Sequence, residues 1–273
     1  MQRIGFSLQA NYVATIPDIR KAIRVGFTHI ELKWDNFASQ DDQIRLIEPL
    51  FKIDWHGITL SLHAPSINVN IASPSGIERR KSIERVMVAI RAAMELRAAF
   101  VVFHAGKIPG GMPRNKQAKD KAHAAQLQSI STIVAFCEEL GIVPALENGY
   151  SLVDLGLVTN IDDMARVAES VPGLTFVLDI GHFILNSPLT DIQKQLENCP
   201  QLHFSAIHLH DNKRIADTHL PLGEGALHGQ KQELTTVLKL VNTCPIIIEC
   251  TDLATALKSR RTLLSSFLSR QMG

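Results

Sequence analysis

Apolar residues along the chain gather in eight short runs that close on polar side chains of ligand type. They are IGFSLQ (4–9), HIELKW (29–34), TLSLHAP (59–65), FVVFHAG (100–106), VPALENG (143–149), TFVLDIGH (175–182), SAIHLHDN (205–212) and PIIIECT (245–251). Rich in Val, Ile, Leu and Phe, they predict buried parallel strands. Between them the period changes. SIERVMVAIRAAMEL (82–96) sets Ile83, Val86, Met87, Ile90 and Met94 on one helical face, and residues 126–140 and 233–241 behave alike. Ser75 with Glu78 predicts a capping box ahead of the first of these stretches. Other helix starts are expected near Pro17-Asp18 and near Asn160, with Asp162 and Asp163 in its first turn. Gly26, Gly57, Gly141 and Gly173 stand where helices must stop before the next strand. Eight strand–helix units without a linker predict a single (β/α)8 TIM barrel over residues 1–273, with a doubly wound sheet as the alternative.

Composition changes this picture little. The 45% hydrophobic residues suffice for a large core, and the formal net charge of +1 gives no general attraction to nucleic acid or a membrane surface. Cys137, Cys199, Cys244 and Cys250 form no CxxC pair and read as buried thiols in a reducing compartment. The start MQRIGFSLQA lacks an apolar stretch behind a basic end, and no apolar run is long enough to span a bilayer. A cytoplasmic protein with no membrane partner is expected.

The candidate chemistry sits at strand ends. His63, His104, Glu147, Asp179 with His182, His208, and Glu249 close six runs, and Asp217 with His219 follow in the loop after the seventh. In a barrel these positions share one mouth, where active sites form. His29, His56, His123, His203 and His228 fall elsewhere and read as structural or solvated. Imidazole and carboxylate together suit zinc, manganese or iron. Glu147, Asp179 and Glu249 are the groups able to bridge ions about 3.5–4 Å apart. The cations nearby in sequence, Lys213 and Arg214, are too few to neutralise these carboxylates as a simple ion-pair mesh.

The ordered set LHAP, FHAG, LENG, LDIGH, IHLHD, DTHLPLGEG and IIEC resembles the xylose isomerase-like barrels, and within them endonuclease IV, over nearly the whole chain. The resemblance implies three zinc ions. One would be held by His63, His104 and Glu147, a second by Glu147, Asp179, His208 and Glu249, and a third by His182, Asp217 and His219. It implies phosphoester hydrolysis with Glu147 and Glu249 as catalytic residues positioning the attacking water. Manganese is the other metal considered. The same scaffold implies an alternative, a sugar or sugar-phosphate isomerase or epimerase, which needs one metal and the Glu147/Glu249 pair to move a proton. A metal-containing binding protein without turnover is a third reading.

Substrate contacts are expected from His210, from Arg214, from Trp34 with Phe37 stacking on a ring, and from Arg114, flanked by Lys107 and Lys116 in a phosphate-facing loop. The acidic WDNF (34–37) and Ser66 depart from the DNA-gripping loops of endonuclease IV. A small phosphorylated or sugar substrate is thus set beside damaged DNA. The GEG of 223–225 is read as a tight path returning Asp217 and His219 to the cluster.

Overall fold

Strand alternation decides how the molecule is filled. The computed structural model describes residues 2–9, 15–35, 40–109, 115–150 and 156–268. Eight parallel strands form a closed barrel in chain order. They are β1 (Ile4–Gln9), β2 (His29–Lys33), β3 (Thr59–His63), β4 (Phe100–His104), β5 (Val143–Glu147), β6 (Thr175–Asp179), β7 (Phe204–Leu209) and β8 (Ile246–Ile248). Pairing of Ile4 with Ile246 and of Phe6 with Ile248 closes the ring. This confirms the (β/α)8 architecture.

The helices are α1 (Thr15–Arg24), α2 (Gln40–Phe51), α3 (Gly76–Glu95), α4 (Lys116–Leu140), α5 (Ile161–Ser170), α6 (Ile180–Asn186), α7 (Leu189–Asn198), α8 (Lys231–Leu240) and α9 (Leu253–Leu263). Asn160 caps α5 by accepting from the Asp163 N–H at 2.9 Å. The box expected at α3 is half formed. Ser75 accepts from the Glu78 N–H at 3.5 Å, but the Glu78 carboxylate accepts from Ser73 Oγ at 2.8 Å instead of returning to the Ser75 backbone. Gly26, Gly57, Gly141 and Gly173 all take positive φ, and Gly141 caps α4 at φ 68°. Pro188, which has no N–H to donate, separates α6 from α7. No helix among the described residues is long and apolar enough to cross a membrane.

Successive side chains on a strand point to opposite faces. Ile30, Leu32, Val101, Phe103, Leu146, Phe176, Leu178, Ile207, Leu209, Ile246 and Ile248 face the helices and belong to one large core. Inside the barrel, Phe100, Val102, Ala145, Val177, Ala206 and Ile247 form a separate apolar plug. The other side of the interior is polar: Ser7, His29, Glu31 and Ser61 are all buried there. Above both lies the mouth, where inward positions carry His104, Glu147, Asp179, His208 and Glu249.

Candidate metal centre

The mouth gathers all nine residues expected to bind metal, eight of them in three groups, of which two share Glu147. His63, His104 and Glu147 form one, Glu147, Asp179 and His208 another, and His182, His210, Asp217 and His219 a third. Glu249 joins His208 in a further group with Glu31 and joins Asp179 and His210 in another.

The hydrogen bonds around the histidines fix which nitrogen faces the centre. A carbonyl can only accept, so an imidazole nitrogen beside one must be the donor. His63 Nδ1 donates to the Ala64 carbonyl at 2.8 Å, His182 Nδ1 to the Asn148 carbonyl at 2.9 Å, and His219 Nδ1 to the Glu249 carbonyl at 2.9 Å. Each therefore turns Nε2 inward. Glu147 Oε2 lies 3.0 Å from His63 Nε2 and 3.1 Å from His104 Nε2, and these two nitrogens are 3.2 Å apart. Asp217 Oδ2 lies 3.2 Å from both His182 Nε2 and His219 Nε2. Lone-pair atoms converging in this way repel unless a proton or a cation lies among them. Ligands about 2.0–2.1 Å from a tetrahedral ion are themselves separated by little more than about 3 Å. Asp179 Oδ2 and Asp217 Oδ1 are buried without a hydrogen-bond partner among the described residues. Hard oxygen and imidazole donors left in this state fit a divalent ion of the zinc or manganese type.

His208 is oriented the opposite way. Its Nε2 lies 3.2 Å from the Glu31 carboxylate, so Nδ1 faces Glu147 Oε1 at 3.3 Å and Glu249 Oε1 at 3.4 Å. Burial lowers the His208 pKa, but Glu31, Glu249 and Glu147 together raise it well above the ordinary value. Burial raises the Glu147 pKa, and the facing His104 and His208 bring it well below the usual carboxylate range. Opposed shifts of this kind concentrate at functional sites.

Local structure explains the placement. Asp179 ends β6 and caps α6, accepting from the His182 N–H at 2.7 Å through Oδ1. The three-residue spacing thus brings His182 over the strand end, while Oδ2 has no hydrogen bond among the described residues and lies 3.4 Å from His182 Nδ1. Asn148 locks this corner: its side chain exchanges hydrogen bonds with the Asp179 backbone at 2.8 and 3.0 Å. His219 sits at φ 47°, the left-handed region that a non-glycine residue occupies only under constraint. The next residue, Leu220, is tied to Asp211 by two backbone hydrogen bonds of 2.9 and 2.7 Å, and the Asp211 carboxylate accepts from the backbone N–H groups of Asn212, Gly223, Gly225 and Leu227 at 2.8–3.1 Å. The GEG segment wraps this buried carboxylate, and Asp211 is the clamp of the loop, outside the centre.

Sequence reasoning missed two residues of β2. Glu31 is fully buried, accepts from Ser7 and Ser61 Oγ at 3.0 Å, and holds His208. Lys33 Nζ lies 3.0 Å from Glu249 Oε1. Burial disfavours its charge, but Glu249, then Glu147 and Glu31, raise its pKa and keep it an ammonium. The cation beside the cluster is therefore Lys33, whereas Lys213 and Arg214 are exposed on the loop after β7. The signal was present, since HIELK alternates polar 29, 31 and 33 with apolar 30 and 32.

Among the substrate-contact expectations, Trp34 is overturned. It continues the outward row of Ile30 and Leu32 and is fully buried in the outer core, with no face at the mouth. His210 is also fully buried. Arg214 is exposed at φ 59°. Arg114 and Phe37 lie outside the described residues. Tyr150, not singled out from sequence, has its ring 5.2 Å from that of His182 and is 40% exposed, so it reaches the mouth. Of the other histidines, His29 is buried and hydrogen-bonded, while His56, His123, His203 and His228 are exposed.

A closed parallel barrel with this array at its mouth defines a class of protein, and sequence comparison gives the family. Residues 19–265 match the xylose isomerase-like TIM barrel family, and the chain belongs to it. The uncharacterized protein MJ1614 of Methanocaldococcus jannaschii is 27% identical over 173 residues, covering 63% of this chain and 64% of that protein. Among solved structures, a D-tagatose 3-epimerase-like protein has a TM-score of 0.81 at 23% identity, over 98% of this chain and 97% of the other. Endonuclease IV from Thermus thermophilus has a TM-score of 0.69 at 17% identity, over 98% and 99%. At these identities the structural likeness is one of fold.

Proposed function

We propose that the chain is a multinuclear zinc- or manganese-dependent hydrolase of phosphoesters, acting on a small phosphate-bearing substrate. The supporting observation is the convergence of three ligand groups where a one-metal proton shuttle needs only Glu147, Asp179, His208 and Glu249. Bound ions supply a water acidified to a pKa of about 7 and neutralise phosphoryl charge. The chain's own residues do the rest. Glu147 joins two groups, presenting Oε2 to His63 and His104 and Oε1 to His208. Glu147 and Glu249 orient the attacking water, and the Lys33 ammonium beside Glu249 favours an anionic substrate. A cavity of about 720 Å³ bordered by Ser7, Lys33, Asp217, His219, Glu249 and Thr251 has room for a sugar phosphate. Four free, buried cysteines support a cytoplasmic setting.

The second reading, a sugar or sugar-phosphate isomerase or epimerase, is favoured by Glu147 and Glu249 flanking His208 Nδ1 at 3.3 and 3.4 Å. Metal content per chain by inductively coupled plasma mass spectrometry, on wild type and His219→Ala, separates the two. Two or three ions with about one lost in the variant, together with turnover of phosphoesters or abasic DNA, support hydrolysis. One ion that survives the substitution, with turnover of ketoses, sinks the multinuclear reading.

A further inference from the structure

We propose that His210 is the fourth protein ligand of the outer ion, completing with His182, Asp217 and His219 a shell with no open position. This rests on the metal-centre reading above. The ligand atoms of these four residues lie within 4.8 Å of one another. His210 Nε2 is 3.3 Å from Asp179 Oδ1 and 3.6 Å from Asp217 Oδ1, and its ring stacks on that of His219 at 4.0 Å. Neither of its nitrogens has a hydrogen-bond partner among the described residues, although the side chain is fully buried. An imidazole buried in this way forfeits the hydrogen bonds it had in water and gains none in exchange, unless an ion takes a lone pair.

Three roles compete for such a side chain. A packing histidine satisfies its nitrogens, as His29 does with Thr59 at 2.7 Å and Ser61 at 2.9 Å. A substrate contact needs an open face, and His210 has none, because Gly181 is pressed so closely against the ring that a Cβ there would overlap it. A metal ligand needs a buried lone pair directed at other ligands, which is what the Nε2 distances describe. Glycine at 181 is thus the cavity that lets His210 reach the cluster, one residue before His182.

The consequence is a division of labour. Four protein ligands close a tetrahedral ion, as in structural sites, whereas three leave a position for water. The His63–His104–Glu147 group offers three ligands, and its His104 side chain is 33% exposed. The position open to water therefore lies on the β3–β4 side of the mouth, and the outer ion anchors the loop after β7.

Cadmium-113 NMR of the cadmium-loaded chain, with nitrogen-15-labelled histidine, tests this directly. The expected result is one cadmium resonance coupled to Nε2 of His182, His210 and His219, shifted or lost in His210→Phe while the other resonances stay. The phenyl ring keeps the contact with Gly181, and far-UV circular dichroism checks that the variant folds. Coupling of His182 and His219 to a common cadmium without His210, with the resonance unmoved in His210→Phe, overturns the inference and leaves the metal centre standing. Absence of any histidine-coupled cadmium overturns both.

Discussion

At the residue scale, the centre is organised by what lies behind each ligand. Backbone carbonyls at residues 64, 148 and 249 take the Nδ1 protons of three histidines, and the Glu31 carboxylate takes the Nε2 proton of a fourth. Such partners fix tautomer and ring direction before any ion arrives. The His182, His208 and His210 side chains are all packed, so room is as specific as charge. Gly181→Ala places a methyl group where the His210 ring lies. The expected cost is about 1–3 kcal/mol of stability, typical of overpacking. Urea unfolding checks it, and a variant as stable as wild type would show that the ring has room to retreat. The candidate ligands were legible in the sequence because barrel topology sends strand ends to one place. Glu31, Lys33 and the burial of Trp34 required knowing which face of β2 turns inward.

At the element scale, β2 is the strand that carries most of the unexpected chemistry. Its inward side chains run from His29 at the base through Glu31 to Lys33 at the mouth, and its outward ones are apolar. Ser61 Oγ donates to Glu31, so it accepts from His29 Nε2, and Thr59 Oγ then donates to His29 Nδ1. The polar half of the interior is thereby satisfied group by group, as a buried network must be. Lys33 completes it by countering Glu249. Lys33→Met leaves that carboxylate without its cation, and removing one partner of a buried pair costs about 3–5 kcal/mol. With a side-chain exposure of 19%, the lower end, about 3 kcal/mol, is expected in chelator. In saturating zinc the loss should shrink, because the ion supplies the missing positive charge. Unfolding curves recorded in both conditions decide it, and equal losses would show that Glu249 is not a ligand.

At the scale of the whole molecule, stability should respond to pH through His29. Burial, only partly offset by Glu31, lowers its pKa from 6.5 to about 4. The folded chain therefore binds fewer protons than the unfolded chain between these values, so this contribution is full above about pH 6.5 and fades as pH falls toward 4. Between pH 7.5 and 5 the wild type should lose about 2 kcal/mol more than His29→Gln. Parallel pH profiles of the two chains, within about half a kcal/mol of each other, would show that the His29 imidazole is not held neutral in the folded chain.

The eight apolar runs, their helical partners and the glycine stops determined the barrel, because each is a local pattern read at one period. The same patterns, through strand order, determined that the candidate ligands meet. Tertiary structure decided what depends on facing and contact between distant segments. It buried Trp34 under the helices, set Lys33 against Glu249 and Glu31 behind His208, and left the His210 ring nitrogens above Gly181 without a hydrogen bond among the described residues. Those relations join residues far apart in the chain, 177 positions for Glu31 and His208 and 216 for Lys33 and Glu249, and only closure of the barrel brings them within bonding distance.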